Sequence, residues 1–235
     1  MNWREGLEKW PRALVEFYLE PSNTALMIVD MQYYVLHPDY GIGKVLTDKL
    51  PDLAGDYFSL VNNTLIPNNQ RLLKFFRENK LDVIHVTVGP ELPDARDYYL
   101  PRRKKDLEQQ QRTGYYTFPF KGTKQHEIID PLKPLEGELV INKTSAGVFN
   151  STGIDSILRK MHIENLVVTG VATNACVETT ARDAADRWYN TVLVEDACGT
   201  FDSESHYATL RSFARIFGMV KTTEEVINGL NQALD

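Results

Sequence analysis

The chain has 235 residues, of which 43% are hydrophobic and 25% charged, and its formal net charge is −6. This length suits one α/β domain, and an acidic balance argues against a nucleic-acid partner or an anionic membrane surface. No apolar run reaches the roughly 18–20 residues of a membrane span. Two cysteines are too few for a disulfide framework, so we expect two free thiols in the reducing cytoplasm.

Six short apolar runs are predicted to be strands. They are continuously apolar rather than alternating, which is typical of strands covered on both faces in a parallel sheet. Helical patterns lie between them, so the order predicts an α/β fold: a three-layer, doubly wound, six-stranded parallel sheet of Rossmann-like topology with right-handed crossovers. The runs are residues 24–29, 81–88, 138–143, 165–169, 191–195 and 217–220.

Capping signals place three of the helices. Pro67 is predicted to open one helix at its first position. Thr152 with Asp155, and Thr222 with Glu225, have the spacing of capping boxes that open two more. We interpret residues 1–235 as a single domain. Residues 1–20 are predicted to form a helical arm that docks on the body or on a neighbouring subunit.

Two long connections, roughly Met31 to Asn63 and Gly89 to Thr123, follow the first and second strands. Both leave the carboxyl edge of the sheet, where ligands bind in open α/β folds, and long connections often form binding loops. Their aromatic residues either wall a pocket, pack the connections down or form a subunit interface. These residues are Tyr33, Tyr34, Tyr40, Tyr98, Tyr99, Tyr115, Tyr116, Phe118 and Phe120.

Three chemically capable residues are predicted to meet at this edge. Asp30 follows the first strand, Lys143 ends the third, and Cys176 lies in the first turn of the helix after the fourth. The positive end of the helix dipole favours a thiolate there. Each residue alone also has an ordinary interpretation, as a surface charge or a buried small cysteine. Together they supply the base, cation and nucleophile of thiol catalysis.

Four motifs, in this order and spacing, resemble those of the isochorismatase-like cysteine hydrolases, a family of small α/β amidohydrolases. The resemblance covers roughly residues 24–220. It implies a catalytic triad of Asp30, Lys143 and Cys176, a cis peptide between Val171 and Ala172, and an oxyanion hole formed by the backbone N–H groups of Ala172 and Cys176. The motifs are ALMIVDMQ (25–32), VINKTSAGVFNSTGID (140–155), VVTGVATNACVETTARDAADRWY (167–189) and VLVEDACGT (192–200).

The resemblance also implies a reaction. Cys176 attacks a small linear amide or a ureido or carbamoyl compound, a thioester forms, and ammonia or an amine leaves. Asp30 serves as the base, and no cofactor is required. Members of the family are commonly dimers or tetramers, so the resemblance also implies a homodimer or homotetramer. The candidate substrate contacts are Gln32, Tyr34, Phe149, Asn150 and Thr173.

Alternative functions are weighed against the same residues. Vinyl ether hydrolases of the family lack the nucleophilic cysteine, so Cys176 favours the amide branch, and a catalytically inactive ligand-binding member stays open. Nicotinamidases carry an aspartate and histidines after the second strand; residues 85–91 here lack that pattern, so no metal is expected. No G-x-G-x-x-G follows the first strand, and Cys176 and Cys198 do not form C-x-x-C, which disfavours dinucleotide and thiol-redox enzymes.

Overall fold

The structure is a computed structural model that describes residues 2–114 and 118–234, without the side chains of residues 100–102. In this part of the chain six strands form one sheet, all parallel, in the order β3-β2-β1-β4-β5-β6. This confirms the predicted doubly wound α/β fold. The strands are β1 (Thr24–Val29), β2 (Asp82–Val88), β3 (Leu139–Lys143), β4 (Asn165–Val171), β5 (Asn190–Gly199) and β6 (Met219–Lys221).

Helices cover both faces of the sheet and create two cores. Alternate residues of β1 point to opposite faces. Leu26 and Ile28 pack into one core with Phe76, whereas Met27 and Val29 pack into the other. No described helix is long and apolar enough to cross a bilayer. The helices are α1 (Tyr33–Leu36), α2 (Gly41–Lys49), α3 (Pro51–Leu60), α4 (Ile66–Glu78), α5 (Leu100–Thr113), α6 (Val148–Ser151), α7 (Ile154–Lys160), α8 (Glu178–Asp186), α9 (Ser203–Ile216) and α10 (Thr223–Leu234).

The first long connection is mostly helical, which the sequence did not reveal. It forms α1, α2 and α3, and a π-helical turn over Val61–Leu65 joins α3 directly to α4. Pro67 lies in the first turn of α4, close to its predicted place, but α4 continues α3 through this turn, and Pro51 stands at the start of the continuous helix. Pro67 has no N–H to donate to an earlier carbonyl, and the widened turn lies immediately before it.

The prediction of a helical N-terminal arm is also wrong. The segment contains one short 3₁₀ helix, Leu7–Lys9, and continues without regular structure to residue 20. Its backbone carbonyls are used by side chains of α9 instead: Arg211 donates to Trp3 O at 3.0 Å, and Arg215 donates to Gly6 O at 3.2 Å. The Trp3 side chain is buried in the second core. The segment thus docks on the body without being a helix.

Of the two predicted capping boxes, only the one at α10 forms. Thr222 N–H donates to the Glu225 carboxylate at 2.7 Å, and Glu225 N–H donates to the Thr222 hydroxyl at 3.1 Å. At α7 the Thr152 hydroxyl accepts from Ile154 N–H, but Asp155 does not reciprocate. Its carboxylate accepts a hydrogen bond from the Tyr189 hydroxyl at 2.9 Å, because α7 packs beside the start of β5.

Gly170 fixes how closely β1 and β4 approach at the switch point of the sheet. Its φ is +110°, and a Cβ there would lie 2.0 Å from the Val29 carbonyl oxygen. We expect Gly170→Ala to lower the free energy of unfolding by about 3–5 kcal/mol, since both backbone conformation and space exclude a methyl group. Gly229→Ala is the matched control: nothing lies within 4 Å in α10, so it should be neutral or stabilising by about 0.5–1 kcal/mol. Urea unfolding distinguishes the two, and equal effects would contradict this view of Gly170.

A partly buried carboxylate beside His85 of β2 predicts a loss of stability in acid. Arg77 donates two hydrogen bonds to Glu138, at 2.7 and 2.9 Å, and His85 lies 3.0 Å from it. Burial raises the pKa of Glu138, but the hydrogen bonds from Arg77, the Leu135 N–H and His85 outweigh it and lower the pKa to about 2.

The stabilisation from Glu138 is therefore complete above its unfolded pKa, near 4.5, and disappears as the pH falls towards 2. Glu138→Gln should reduce the free energy of unfolding by about 2–3 kcal/mol at pH 7 and by much less at pH 3. Urea titrations at both pH values measure the difference. If Glu138→Gln lost the same unfolding free energy at pH 7 and at pH 3, Glu138 would not be the ionised partner of Arg77.

Candidate active site

A buried ion pair lies at the carboxyl edge of the sheet. Asp30 directly follows β1 and Lys143 is the last residue of β3, with the end of β2 between them. Lys143 Nζ donates to Asp30 Oδ2 at 2.8 Å, and the two side chains are 0% and 1% exposed. Burial of two charges is tolerated because they neutralise each other at hydrogen-bond distance. The two strand ends thus meet as predicted.

The backbone at Asp30 turns the carboxylate into the site. Asp30 has φ +54°, a left-handed conformation that aspartate tolerates better than most residues. Its N–H donates to the Val86 carbonyl of β2 at 2.8 Å, and its carbonyl accepts from Gln32 N–H at 2.7 Å. The second carboxylate oxygen, Oδ1, receives no well-formed hydrogen bond from the described residues. That oxygen is the one left to interact with a proton donor.

Cys176 lies on the turn that leaves β4. The peptide bond between Val171 and Ala172 is cis, and a π-helical turn over Thr173–Val177 leads into α8. The Ala172 carbonyl accepts from the N–H groups of Ala175 and Val177, at 3.0 and 3.3 Å. Cys176 therefore lies in the helical turn that follows β4, as predicted, and it is partly exposed. Its thiol interacts with both Asp30 and Lys143.

Burial and mutual charge set the protonation of these three groups. Burial raises the pKa of Asp30, against the opposing influence of the Lys143 ammonium. Burial alone would lower the pKa of Lys143. Asp30 and Cys176 outweigh this effect and raise the pKa of Lys143 above its ordinary value. Burial, followed by the charge of Asp30, raises the pKa of the Cys176 thiol to about 12, although Lys143 opposes this. Burial and the Asp30 charge thus oppose the thiolate that the helix start was expected to favour.

His126 and Asn142 form a second polar group near the ion pair, which was not predicted from the sequence. His126 Nε2 lies 2.9 Å from Asn142 Oδ1, and the Asn142 amide donates to Gly89 O at 2.9 Å and to Glu91 at 2.8 Å. The charge of His126 also lowers the pKa of Asp30. Asn142 could have been found from its place next to Lys143. His126 lies beyond the second long connection, between it and β3, and no motif indicates where this segment folds back.

Gln32 and Tyr34, both predicted substrate contacts, are engaged within the protein. The Gln32 amide donates to Val88 O and His126 O, at 3.2 and 2.8 Å, and its oxygen accepts from Val88 N–H at 2.8 Å. Gln32 thereby joins β2 to the segment that carries His126. Tyr34 is buried in the first core, against Gly41 of α2. Substrate contact by Gln32 and Tyr34 stays a prediction.

The other three candidates lie on α6 and on the Cys176 turn. Phe149 packs against the Tyr189 ring, with centroids 5.9 Å apart. Asn150 donates to Asp183 of α8 at 2.7 Å. Thr173 is fully buried and its hydroxyl lies 2.9 Å from His206 Nδ1. Of these, only Thr173 shares a turn with Cys176, and direct substrate contact by the predicted set stays a prediction.

The aromatic residues of the two connections include some that line a cleft and some that pack within the protein. Tyr40 and Phe120 line a cleft of about 680 Å³, together with Pro90 and Glu91. Several of the others pack within the protein: Tyr34, Tyr98 and Phe118 are buried. Tyr115 and Tyr116 lie outside the described residues. Over residues 2–114 and 118–234, no three Asp, Glu, His or Cys side chains are grouped so that they would hold a metal ion.

A doubly wound sheet with a carboxylate, an ammonium and a thiol at its switch point has the layout of a small α/β hydrolase. The chain belongs to the isochorismatase family: the family model described as "Isochorismatase domain" matches residues 24–225. The resemblance seen in the sequence motifs is thereby confirmed.

Similar proteins include named amidohydrolases. The ureidoacrylate amidohydrolase RutB of Rhizobium rhizogenes is 31% identical over 224 residues, covering 92% of this chain and 86% of that protein. The solved N-carbamoylsarcosine amidase of Thermoplasma acidophilum is 25% identical, with a TM-score of 0.62 over 86% of this chain and 97% of that one. A cysteine hydrolase from Pseudomonas syringae pv. phaseolicola shares the fold, with a TM-score of 0.75, 24% identity and coverage of 95% and 99%.

Proposed function

We propose that this chain is a cysteine-dependent hydrolase that cleaves the C–N bond of a small linear amide or of a ureido or carbamoyl compound. The observation that carries the proposal is the buried Lys143–Asp30 ion pair, 2.8 Å long, in contact with the Cys176 thiol at the switch point of the sheet. The names of the similar proteins, a ureidoacrylate amidohydrolase and an N-carbamoylsarcosine amidase, agree with this substrate class.

The first half of the reaction forms a thioester. Asp30 Oδ1 accepts the thiol proton as Cys176 Sγ attacks the carbonyl carbon, so the thiolate exists only during the attack. A thiol pKa raised to about 12 suits this order, because a neutral resting thiol needs an adjacent base. Burial, which raises the pKa of Asp30, also makes that carboxylate a better proton acceptor.

The leaving nitrogen takes the same proton from Asp30. The C–N bond breaks, ammonia or an amine departs, and the acyl or carbamoyl group stays on Sγ. Water then attacks the thioester while Asp30 accepts its proton, and the thiol is regenerated with release of the acid. In both halves the negative oxygen of the tetrahedral intermediate points at the backbone N–H groups of Ala172 and Cys176, the oxyanion hole of this proposal.

Lys143 acts by position and charge. Because its ammonium is held by Asp30 at 2.8 Å and its pKa is raised, it stays protonated throughout the cycle. The ammonium fixes the rotamer of Asp30 through Oδ2 and leaves Oδ1 to face the thiol. It also opposes the rise in the thiol pKa that burial causes, so removal of Lys143 should make the thiolate harder to form.

An ammonia-release screen tests the function. The panel is ureidoacrylate, biuret, carbamoyl amino acids, nicotinamide and maleamate, with a vinyl ether substrate scored for loss of the ether. We expect turnover of a linear ureido or carbamoyl compound, retained after exhaustive chelation. Turnover of the vinyl ether alone would assign the other branch of the family, and no turnover of any compound by folded protein would favour an inactive ligand-binding member.

A further inference from the structure

Two side-chain hydrogen bonds anchor the helical turn after β4 to the segment that follows β5. The Thr200 hydroxyl donates to Asn174 Oδ1 at 2.8 Å, and the Thr173 hydroxyl lies 2.9 Å from His206 Nδ1. Thr200 directly follows β5, the neighbour of β4, so the sheet itself places it beside the turn. His206 belongs to α9, and its hydrogen bond therefore ties the turn to a separate element.

The two anchors differ in how far water competes with them. Asn174 is exposed, so water can replace the Thr200 hydroxyl at its amide oxygen with little loss. Thr173 is 0% exposed, and a buried hydroxyl that loses its protein partner loses most of its hydrogen bonding. The hydrogen bond between Thr173 and His206 is thus the anchor that constrains the turn.

The imidazole of His206 can hold this hydrogen bond without carrying a charge. Burial lowers the pKa of His206 to about 4, so the ring is neutral at pH 7. A neutral imidazole has one N–H donor and one acceptor nitrogen, and a hydroxyl both donates and accepts. The pair therefore forms one hydrogen bond whichever ring nitrogen carries the proton.

We propose that His206 is a positioning residue, which holds the oxyanion-binding turn in place through the Thr173 hydroxyl. The inference rests on the proposed function, in which the N–H groups of Ala172 and Cys176 receive the negative oxygen. Thr173 lies between these two donors in the chain, so a shift of Thr173 moves both. Donors of this kind must lie within about 2.7–3.1 Å of the oxyanion, and a misplacement of about 1 Å can cost about 10²-fold in rate.

Two reagents that react with the same thiol separate positioning of the turn from reactivity of the nucleophile. Acylation of Cys176 by p-nitrophenyl acetate passes through a tetrahedral oxyanion and releases p-nitrophenolate. Alkylation by iodoacetamide displaces iodide directly and forms no oxyanion. Both rates are measured on the intact protein, and the rates of Cys176→Ala are subtracted to remove reaction at other groups.

We expect His206→Ala to slow acylation by about 10–100-fold and to change alkylation less than about twofold. His206→Asn keeps a polar atom where Nδ1 lies and should restore acylation to within about threefold. Thr173→Val should match His206→Ala, and the double variant should be no slower, because both changes remove the same hydrogen bond. Thr209→Val is the matched control: it removes another hydroxyl of α9, which donates to Glu178 at 3.0 Å, and should leave acylation unchanged.

The outcomes distinguish failure of this inference from failure of the proposed function. Cys176-dependent acylation that is equally fast in His206→Ala and in the unmodified protein would overturn the inference alone. Equal slowing of acylation and alkylation, or equal slowing by Thr209→Val, would also overturn it, because His206 would then only stabilise the surroundings of α9. Acylation of the unmodified protein no faster than that of Cys176→Ala would overturn both.

A second pair of variants covers the case in which His206→Ala does not fold, as judged by circular dichroism. Thr173→Ser keeps the hydroxyl and should acylate within about threefold of the unmodified protein, whereas Thr173→Val should be slowed about 10–100-fold. Equal acylation rates in these two variants would contradict the role given to the hydroxyl and hence to His206.

Discussion

Cys176→Ala is expected to lower amide hydrolysis by at least about 10⁴-fold while the protein stays folded. The thiol is the group that forms the covalent bond, and no other residue can replace it at the turn after β4. Alanine suits the helical turn over Thr173–Val177, and the substitution removes only the sulfur atom, so little packing is lost. The measurements are kcat/KM by ammonia release and the free energy of unfolding in urea.

Cys198→Ala is the matched control for this variant. Cys198 is buried in the second core, and its thiol lies 3.6 Å from the Val168 carbonyl, to which it donates. Loss of the Cys198 thiol should lower the free energy of unfolding but leave most of the hydrolytic activity. Turnover retained by Cys176→Ala, or activity lost equally in both variants, would contradict the assignment of Cys176 as the nucleophile.

The strands could be predicted from the sequence because a strand buried on both faces leaves an unmistakable apolar run. The run at 24–29 matches β1 residue for residue, and the run at 165–169 falls short of β4 by two residues. The helices of the first connection were missed, since residues 41–60 mix polar and apolar side chains without a clear stripe. There the helices form through packing against the body, which a single-sequence pattern does not record.

The meeting of Asp30 and Lys143 was predictable from topology, because parallel strands end at the same edge. The protonation state of Cys176 could not be predicted in this way. The sequence shows the helix start that would favour a thiolate, but the raised pKa depends on burial and on the proximity of Asp30, which only the folded chain reveals. For the same reason the hydrogen bonds of Gln32 to Val88 and His126 could not be predicted, since these partners come from segments distant in sequence.

Asp30→Asn is expected to separate thiol reactivity from catalysis. The charge of Asp30 raises the pKa of Cys176, whereas Lys143 lowers it. Removal of the carboxylate should therefore lower the thiol pKa and accelerate alkylation of Cys176 by iodoacetamide at pH 7–8. Amide hydrolysis should nevertheless fall by about 10²–10⁴-fold, because no base then accepts the thiol proton or returns it to the leaving nitrogen.

Lys143→Met is expected to have the opposite effect on the thiol. The variant keeps much of the packing but leaves the Asp30 carboxylate buried without its cation, which should cost about 3–5 kcal/mol of unfolding free energy. The thiol pKa should rise above its value in the unmodified protein, so alkylation slows and the pH–rate profile moves to higher pH. Activity falls because Asp30 is no longer held by its Oδ2 atom.

The double variant Asp30→Asn/Lys143→Met tests whether the residues act as one unit. Each single variant leaves one buried charge without its partner, and the double variant removes both charges. Its loss of unfolding free energy should therefore be smaller than the sum of the losses in the two single variants. Its kcat/KM should be little worse than that of the poorer single variant, because either substitution already disables proton transfer. A double-mutant cycle on kcat/KM, with pH profiles of Cys176 alkylation, gives the answer. Strictly additive losses, together with alkylation rates that neither single substitution changes, would mean that the ion pair is structural and that the thiol works without it.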